Sequence, residues 1–316
     1  MSWSRTVLGP LLLVIVALVA VAAGATAGER APRASLTYVG MTGGATIAAG
    51  AREPVRLYAE ETGSGRPILL IHGLGASTYT WRNVVPELAR RGRVIAVDLK
   101  GFGRSDKPFD LAYSPADHAR TIVEFIRRRG LDDVTLVGHS FGGAIALLVT
   151  LELNRSAPGR VRDLVLIDAP AYRQPSTNFV DLMRMPVLPY ALLTLVPPEL
   201  ATWLALDEDQ ARLMSPRDVL SYAAPFRDAG ARHALIATTR QIEPPDFASI
   251  TAAYATIPQR TLIIWCRDDP TVPLATGQKL ARTLKRARLE VLEGCTHVPQ
   301  DERPDAVNRL LRGFVR

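Results

Sequence analysis

Gly138-His139-Ser140-Phe141-Gly142 is a Gly-x-Ser-x-Gly stretch, and its flanks decide how it reads. Val134-Thr135-Leu136-Val137 precedes it as a short apolar run, which predicts a buried strand. Gly143 to Leu153 follows and predicts a helix. A serine between such a strand and helix must sit on a sharp turn. Gly138 and Gly142 lack Cβ atoms, so strand and helix can approach closely around it. Outside that context the pattern carries little, because glycine and serine are common loop residues. The rest of the chain has to supply a base, an acid and an oxyanion site before Ser140 reads as a nucleophile.

Working outward, Pro67 to His72 and Val94 to Asp98 are continuous apolar runs, as expected of fully buried parallel strands. Val55 to Glu60 alternates, and Val161–Ile167, Thr261–Cys266 and Leu289–Leu292 add further strands. Helical patterns at Trp81–Arg91, Pro115–Arg129, 274–285 and Pro304–Phe314 fall between or after them. Strands alternating with helices imply an α/β fold, a mostly parallel sheet covered on both faces. Ligands bind such sheets at the carboxyl ends of the strands. Residues 171–256 break the alternation with prolines at 186, 189, 197, 198, 216, 225, 244 and 245 between short helical runs, so they read as a helical insertion.

The chain of 316 residues suits one α/β domain with an insertion, and an apolar content of 47% supports a sizeable core. Net charge is +7, carried by scattered arginines with lysine only at 100, 107, 279 and 285. No basic run with interleaved aromatics occurs, which argues against nucleic-acid binding. At the N-terminus, Arg5 precedes an apolar run from Val7 to Ala23 and an Ala25-Thr26-Ala27 exit site. Residues 1–27 therefore read as a signal peptide or a retained membrane anchor, and either sends the remainder out of the cytoplasm. Membrane contact through that segment is expected. Residues 28–50, rich in glycine and alanine, read as a linker.

Each unusual polar cluster follows a predicted strand, so all converge on one edge of the sheet. These are His72-Gly73-Leu74-Gly75, Asp98 to Asp106, Ser140, Asp268-Asp269 and His297. The chain order Ser, Asp, His is one of the known orders for a serine triad. The set of motifs resembles the α/β-hydrolase fold family with a cap inserted after the sixth core strand. The matching residues are His72-Gly73, Asp98-x-x-Gly101-x-Gly103-x-Ser105, Gly138-x-Ser140-x-Gly142, Asp269-Pro-Thr-Val-Pro273 and His297-x-x-x-x-Glu302-x-Pro304. The resemblance implies a core at 51–170 and 257–316 and a cap at 171–256.

It also implies roles. Ser140 is the expected nucleophile and His297 its base. Asp269 is the expected acid, with Asp268 and Asp168 as alternatives. The oxyanion donors are the backbone N–H groups of Leu74 and Phe141. His72 is expected to brace the oxyanion loop and His139 to pack. His118 reads as a partly exposed surface residue, and Lys100 and Arg104 as solvated loop charges. Gly101, Gly103 and Ser105 are expected to shape a turn. Cys266 and Cys295 follow adjacent strands, about 4.8 Å apart, and could bridge in an exported protein. Two buried free thiols are the preferred reading.

No metal-ligand spacing and no nucleotide-binding glycine signature is present, so neither metal nor cofactor is expected. Serine at the elbow speaks against relatives that attack carbon with an aspartate. The main expectation is hydrolysis of a small hydrophobic carboxylic ester through an acyl-enzyme. The alternatives are acyl transfer or carbon–carbon bond hydrolysis like that of meta-cleavage-product hydrolases, though the chain lacks their usual Asn before the serine and the Gly-Pro-Gly after His-Gly. A non-catalytic binding protein is the weakest reading, because the triad is complete. The apolar run Leu182, Met183, Met185, Val187, Leu188, Tyr190, Leu192 and Leu193 is expected to roof the pocket or fill the cap core.

Overall fold

The computed structural model describes residues 32–41, 54–205 and 214–315. Its centre is an eight-stranded sheet in the order β1-β2-β4-β3-β5-β6-β7-β8. The strands are β1 (Arg33–Met41), β2 (Pro54–Thr62), β3 (Pro67–Ile71), β4 (Arg93–Val97), β5 (Val134–His139), β6 (Val161–Ile167), β7 (Arg260–Cys266) and β8 (Ala287–Leu292). β1 and β2 run antiparallel to their neighbours, and β3 to β8 pair in parallel. Arg33–Met41 falls in the stretch read as linker. Its Leu-Thr-Tyr-Val core instead pairs along β2, and Arg129 donates to the Ser35 and Thr37 hydroxyls.

The apolar runs are continuous because both faces of the sheet are covered. Leu69 and Ile71 point into one cluster with Ile122, Phe125, Ile145 and Val149. Ile68 and Leu70 point into another with Trp81, Leu88, Val307 and Leu311. The helices that supply these covers are α1 (Val85–Leu88), α2 (Pro115–Arg128), α3 (Phe141–Ser156) and, at the end of the chain, a helix over Pro304–Phe314. α2 starts where the sequence predicts. Ser114 accepts from the Asp117 amide, Asp117 bonds back to Ser114, and Pro115 occupies the first turn. The helix expected over 81–91 is shorter. A 3-10 turn covers Thr78–Trp81 and α1 begins only at Val85, with Pro86 in its first turn, the one place a helix tolerates proline.

Between β6 and β7 the described insertion is helical. It contains α4 (Asn178–Arg184), α5 (Leu188–Leu195), α6 (Pro198–Ala205), α7 (Pro216–Ala223), α8 (Ala229–Arg240) and α9 (Phe247–Ala253). α8 is its core, with His233, Ala234, Leu235, Ile236, Ala237 and Thr238 all buried. After β7 come α10 (Leu274–Thr283), α11 (Pro299–Glu302) and α12 (Pro304–Phe314).

The Asp98 to Ser105 turn shows why its glycines are needed. The Asp98 carboxylate accepts from the amides of Thr78 and Arg104 at 2.6 and 2.7 Å, tying two loops at the sheet edge. A Cβ at Gly103, where φ is +51°, would lie 2.1 Å from that carboxylate. The Ser105 hydroxyl donates to the Asp98 carbonyl and accepts from the Tyr58 amide.

Among the described residues no helix is long and apolar enough to cross a membrane. The apolar run from Val7 to Ala23 lies outside them.

Candidate active site

Ser140 sits at the top of β5 with φ +50° and ψ −126°, a strained conformation for a residue with a side chain. The crowding that produces it is measurable. A Cβ on Gly142 would lie 2.2 Å from the Ile71 carbonyl oxygen, and one on Gly138 would lie 2.4 Å from the Gly142 carbonyl oxygen. The Ser140 amide donates to the Ile167 carbonyl, anchoring the elbow to β6. The serine hydroxyl is thereby held above the sheet edge instead of folding into helix α3.

His297 meets it there. Nε2 of His297 is 3.0 Å from Oγ of Ser140, and Nδ1 is 2.8 Å from Oδ2 of Asp269. The other Asp269 oxygen accepts from the amides of Thr271 and Val272 at 2.7 and 2.9 Å. That geometry fixes the Nδ1–H tautomer and leaves the Nε2 lone pair toward the hydroxyl. Asp268 is exposed, and the structure gives the place beside His297 to Asp269.

Leu74 lies in the turn closed by the Ala76 amide on the Gly73 carbonyl, and Phe141 opens α3. The first amides of a helix have no intrahelical acceptor and carry partial positive charge. Both residues line the cavity into which Ser140 opens.

The surrounding histidines differ in part from the sequence reading. His72 braces the loop that carries Leu74: Nε2 accepts from the Leu99 amide and Nδ1 lies 2.8 Å from the Gly73 carbonyl. Burial pulls its pKa down to about 4. His139 does more than pack. Its Nε2 lies 2.7 Å from the His297 carbonyl, so it donates there and holds the backbone of the proposed base. His118 is not at the surface. It is fully buried, 3.3 Å from the Thr238 hydroxyl of α8, and burial lowers its pKa to about 3. Lys100 is not solvated either. Its ammonium lies 2.8 Å from Asp110 with both side chains buried, and His233 of α8 donates to the Asp110 carbonyl. Arg104 is exposed, as read, and pairs with Glu60 and Tyr58.

Sequence reasoning missed Glu302, although its position belongs to a quoted motif. It accepts from the amides of Thr296, His297 and Val298 and from the Thr296 hydroxyl, so it cradles the loop that carries His297. The preferred free thiols are corrected. Cys266 and Cys295 are disulfide-bonded with Cα atoms 5.4 Å apart. The cause is register: β7 and β8 pair in parallel up to Cys266 and Leu292, and the turn after Leu292 brings Cys295 back over the strand end.

The cavity above Ser140 measures about 710 Å³ and is largely apolar. Its roof is not the run expected from sequence. Of those eight residues only Leu193 lines it, and Met185, Val187, Leu188 and Tyr190 are exposed on the outer side of the cap. The roof comes from Phe179, Val180, Phe226, Ile242, Phe247 and Ile250, dispersed over 72 positions of sequence from 179 to 250. Among the described residues, Arg173, Arg184 and Glu243 are the charged ones of the cap wall. Each arginine lies about 4 Å from Glu243 (3.9 and 4.0 Å), which leaves one positive charge in excess among the described lining residues of the cap.

The model of the Alpha/beta hydrolase family matches residues 68–310. The chain is 33% identical over 277 residues to a 2-hydroxymuconate semialdehyde hydrolase from Pseudomonas sp. (strain CF600), covering 85% of this chain and 92% of that one. It is 30% identical to a 2-hydroxy-6-oxo-2,4-heptadienoate hydrolase from Pseudomonas putida, covering 81% and 91%. Among solved structures, a meta-cleavage product hydrolase from Pseudomonas fluorescens superposes with a TM-score of 0.67 at 28% identity, covering 86% of this chain and 97% of that one.

Proposed function

The chain belongs to the alpha/beta hydrolase family, and on that premise we propose that it is a serine hydrolase acting on a small, largely apolar oxo acid, which it cleaves at a carbon–carbon bond beside a carbonyl. The observation that carries the serine chemistry is the relay from Ser140 through His297 to Asp269, at 3.0 and 2.8 Å. His297 takes the Ser140 proton as Oγ adds to the substrate carbonyl, and the amides of Leu74 and Phe141 receive the negative charge on its oxygen. The bond then breaks, His297 returns the proton to the departing carbon, and an acyl group is left on Ser140. Water, activated by the same imidazole, releases the acid. A carbon leaving group departs only when its electron pair is delocalised. A 2-hydroxydienoate meets that condition once it ketonises, moving the hydroxyl proton to C5, so that the pair released with the C5–C6 bond flows through the C3–C4 double bond to the C2 carbonyl; a 2-hydroxy-6-oxodienoate is therefore the substrate class.

Two findings support that class over esters. The relatives named as hydrolases of an oxo-dienoate and a muconate semialdehyde align over more than nine tenths of their lengths. Among the described lining residues of the cap, Arg173 and Arg184 outnumber Glu243 by one charge, in a cavity otherwise suited to a hydrophobic group. Ester hydrolysis, the expectation from sequence, is the second reading. It is favoured by His139 at the position where asparagine is usual in carbon–carbon hydrolases, and by Gly75-Ala76 after Leu74.

The test compares kcat/KM for a 2-hydroxy-6-oxohexa-2,4-dienoate and for p-nitrophenyl esters of rising chain length, with Ser140→Ala throughout. Faster turnover of the dienoate is expected, with both activities falling about 10⁴-fold or more in the variant. Ester turnover alone selects the second reading. Activity that survives Ser140→Ala removes the serine from the chemistry.

The catalytic domain is proposed to work outside the cytoplasm. The N-terminal apolar run supports this, as does a disulfide, which persists in oxidising compartments. Fractionation with N-terminal sequencing tests it. A soluble cytoplasmic product that begins at Met1 would refute it.

A further inference from the structure

Asp168, read from sequence as an alternative triad acid, has a place in the structure that the relay does not use. It follows β6, is fully buried, and has φ +45°, a conformation in which aspartate and asparagine are enriched. One carboxyl oxygen accepts from the Cys266 amide at 2.9 Å. The other is buried and has no donor facing it. Its side-chain neighbour is the carboxyl of Asp269. The two carboxyls are buried and within hydrogen-bonding reach of each other, and two such groups cannot both be charged away from water, so one of them must hold a proton. Asp269 accepts from the Thr271 and Val272 amides and from His297, while Asp168 accepts from a single amide. The proton therefore belongs on Asp168, where it turns the orphaned oxygen into a donor.

We infer that Asp168 is a neutral carboxylic acid that donates a hydrogen bond to Asp269, a positioning residue that extends the relay from three side chains to four. The inference rests on the serine-hydrolase reading above. No covalent bond forms or breaks at Asp168. Its proton stays in place through turnover, and its effect passes through Asp269. A donor on Asp269 stabilises that carboxylate by itself, which weakens the pull of Asp269 on the imidazolium proton of His297. It also pins the second face of the acid, whose first face is held by the two loop amides. Burial, then the charge of Asp269, push the Asp168 carboxyl well above its ordinary range, and the charge of Glu302 acts in the same sense. The groups that bear on it are thus Asp269 beyond β7, Glu302 on α11 and, past Asp269, His297.

The test uses the full enzyme with Asp168→Asn and Asp168→Ala. Asparagine keeps an acceptor for the Cys266 amide and a donor for Asp269, and it tolerates the positive φ. Alanine supplies neither group. The first readout is the second-order rate of fluorophosphonate labelling against pH, which reports Ser140 reactivity without a known substrate. The expected result is labelling within about threefold of wild type for Asp168→Asn. For Asp168→Ala we expect a loss of about tenfold at pH 7, with the acidic limb of the profile moved upward. The second readout is infrared difference spectroscopy of wild type at pH 8, where a protonated carboxyl band is expected that Asp168→Asn lacks. It needs no alanine variant, should that one fail to fold. Absence of the band in wild type overturns the inference, as does Asp168→Asn behaving like a folded Asp168→Ala. Wild-type protein that does not label at all instead refutes the serine-hydrolase reading.

Discussion

Replacing both Cys266 and Cys295 by alanine probes the fold and the site together. The bridge closes a loop across a sequence separation of 29. Constraint of the unfolded chain by a loop of that length is worth about 3.6 kcal/mol in the chain-entropy model. For a domain of this size each kcal/mol moves Tm by about 2–4 °C, so the variant should melt roughly 10 °C below oxidised wild type. Both sulfurs are buried and each alanine removes one, which adds a small packing loss in the same direction. Activity at 25 °C should fall much less. Asp269 is still held by the Thr271 and Val272 amides, and the His297 loop by Glu302. The assay is a thermal scan of wild type and variant, each with and without reductant present during unfolding and refolding. Wild type should drop to the variant's Tm when reduced, and the variant should not respond. Coincident melting of oxidised wild type and variant, or two titratable thiols in protein purified without reductant, would refute the reasoning.

Two further outcomes follow from the packing. His72, His118 and His139 are buried with pKa values lowered to about 4, 3 and 3, chiefly by burial, so the unfolded chain takes up protons below about pH 6.5 and the folded one does not. Each should contribute stability that is present above that pH and lost as pH falls toward its folded value, about 2 kcal/mol per histidine by pH 5. Urea denaturation at pH 7 and pH 5 checks this, and equal midpoints would contradict it. Gly142→Ala sets a Cβ 2.2 Å from the Ile71 carbonyl oxygen, a backbone atom in the centre of the sheet. It should abolish soluble expression or cost several kcal/mol, and a soluble variant with wild-type labelling by fluorophosphonate would show that the elbow is not sterically closed.

The meeting of Ser140, His297 and Asp269 was legible in sequence because each stands within a few residues of the end of a strand of a parallel sheet, and such strand ends share one edge. Ser140 at the end of β5, Asp269 beyond β7 and His297 beyond β8 needed only strand order to meet. The cap was not legible. Its wall is drawn from several short helices whose apolar residues face both inward and outward, so Val187 and Leu195 stand exposed while Phe247 and Ile250 line the cavity. Lys100 and His118 were misread for a related reason. The partner of His118 arrives with the docking of α8, Thr238 lying 120 positions away, and the Lys100–Asp110 pair is closed over by the same helix, whose His233 lies 123 positions from Asp110. No local pattern announces a buried charge whose shelter arrives from so far along the chain. β1 was missed because its pairing partner, not its composition, makes it a strand.

The fastening of α8 divides the cap into parts with different freedom to diversify. His233 on the Asp110 carbonyl and His118 on Thr238 rivet this one helix to the core, and a Cβ on Gly101 would strike Ala234 at 2.3 Å. A substitution there must be accommodated by the whole hydrolase body. Among the described residues, α4, α5 and α6 show no comparable rivets to the core, and within these helices only Met183 and Pro189 are buried. Substrate range can therefore drift, or be redesigned, by remodelling Asn178–Ala205 as a replaceable cassette while α8 preserves the scaffold beneath it.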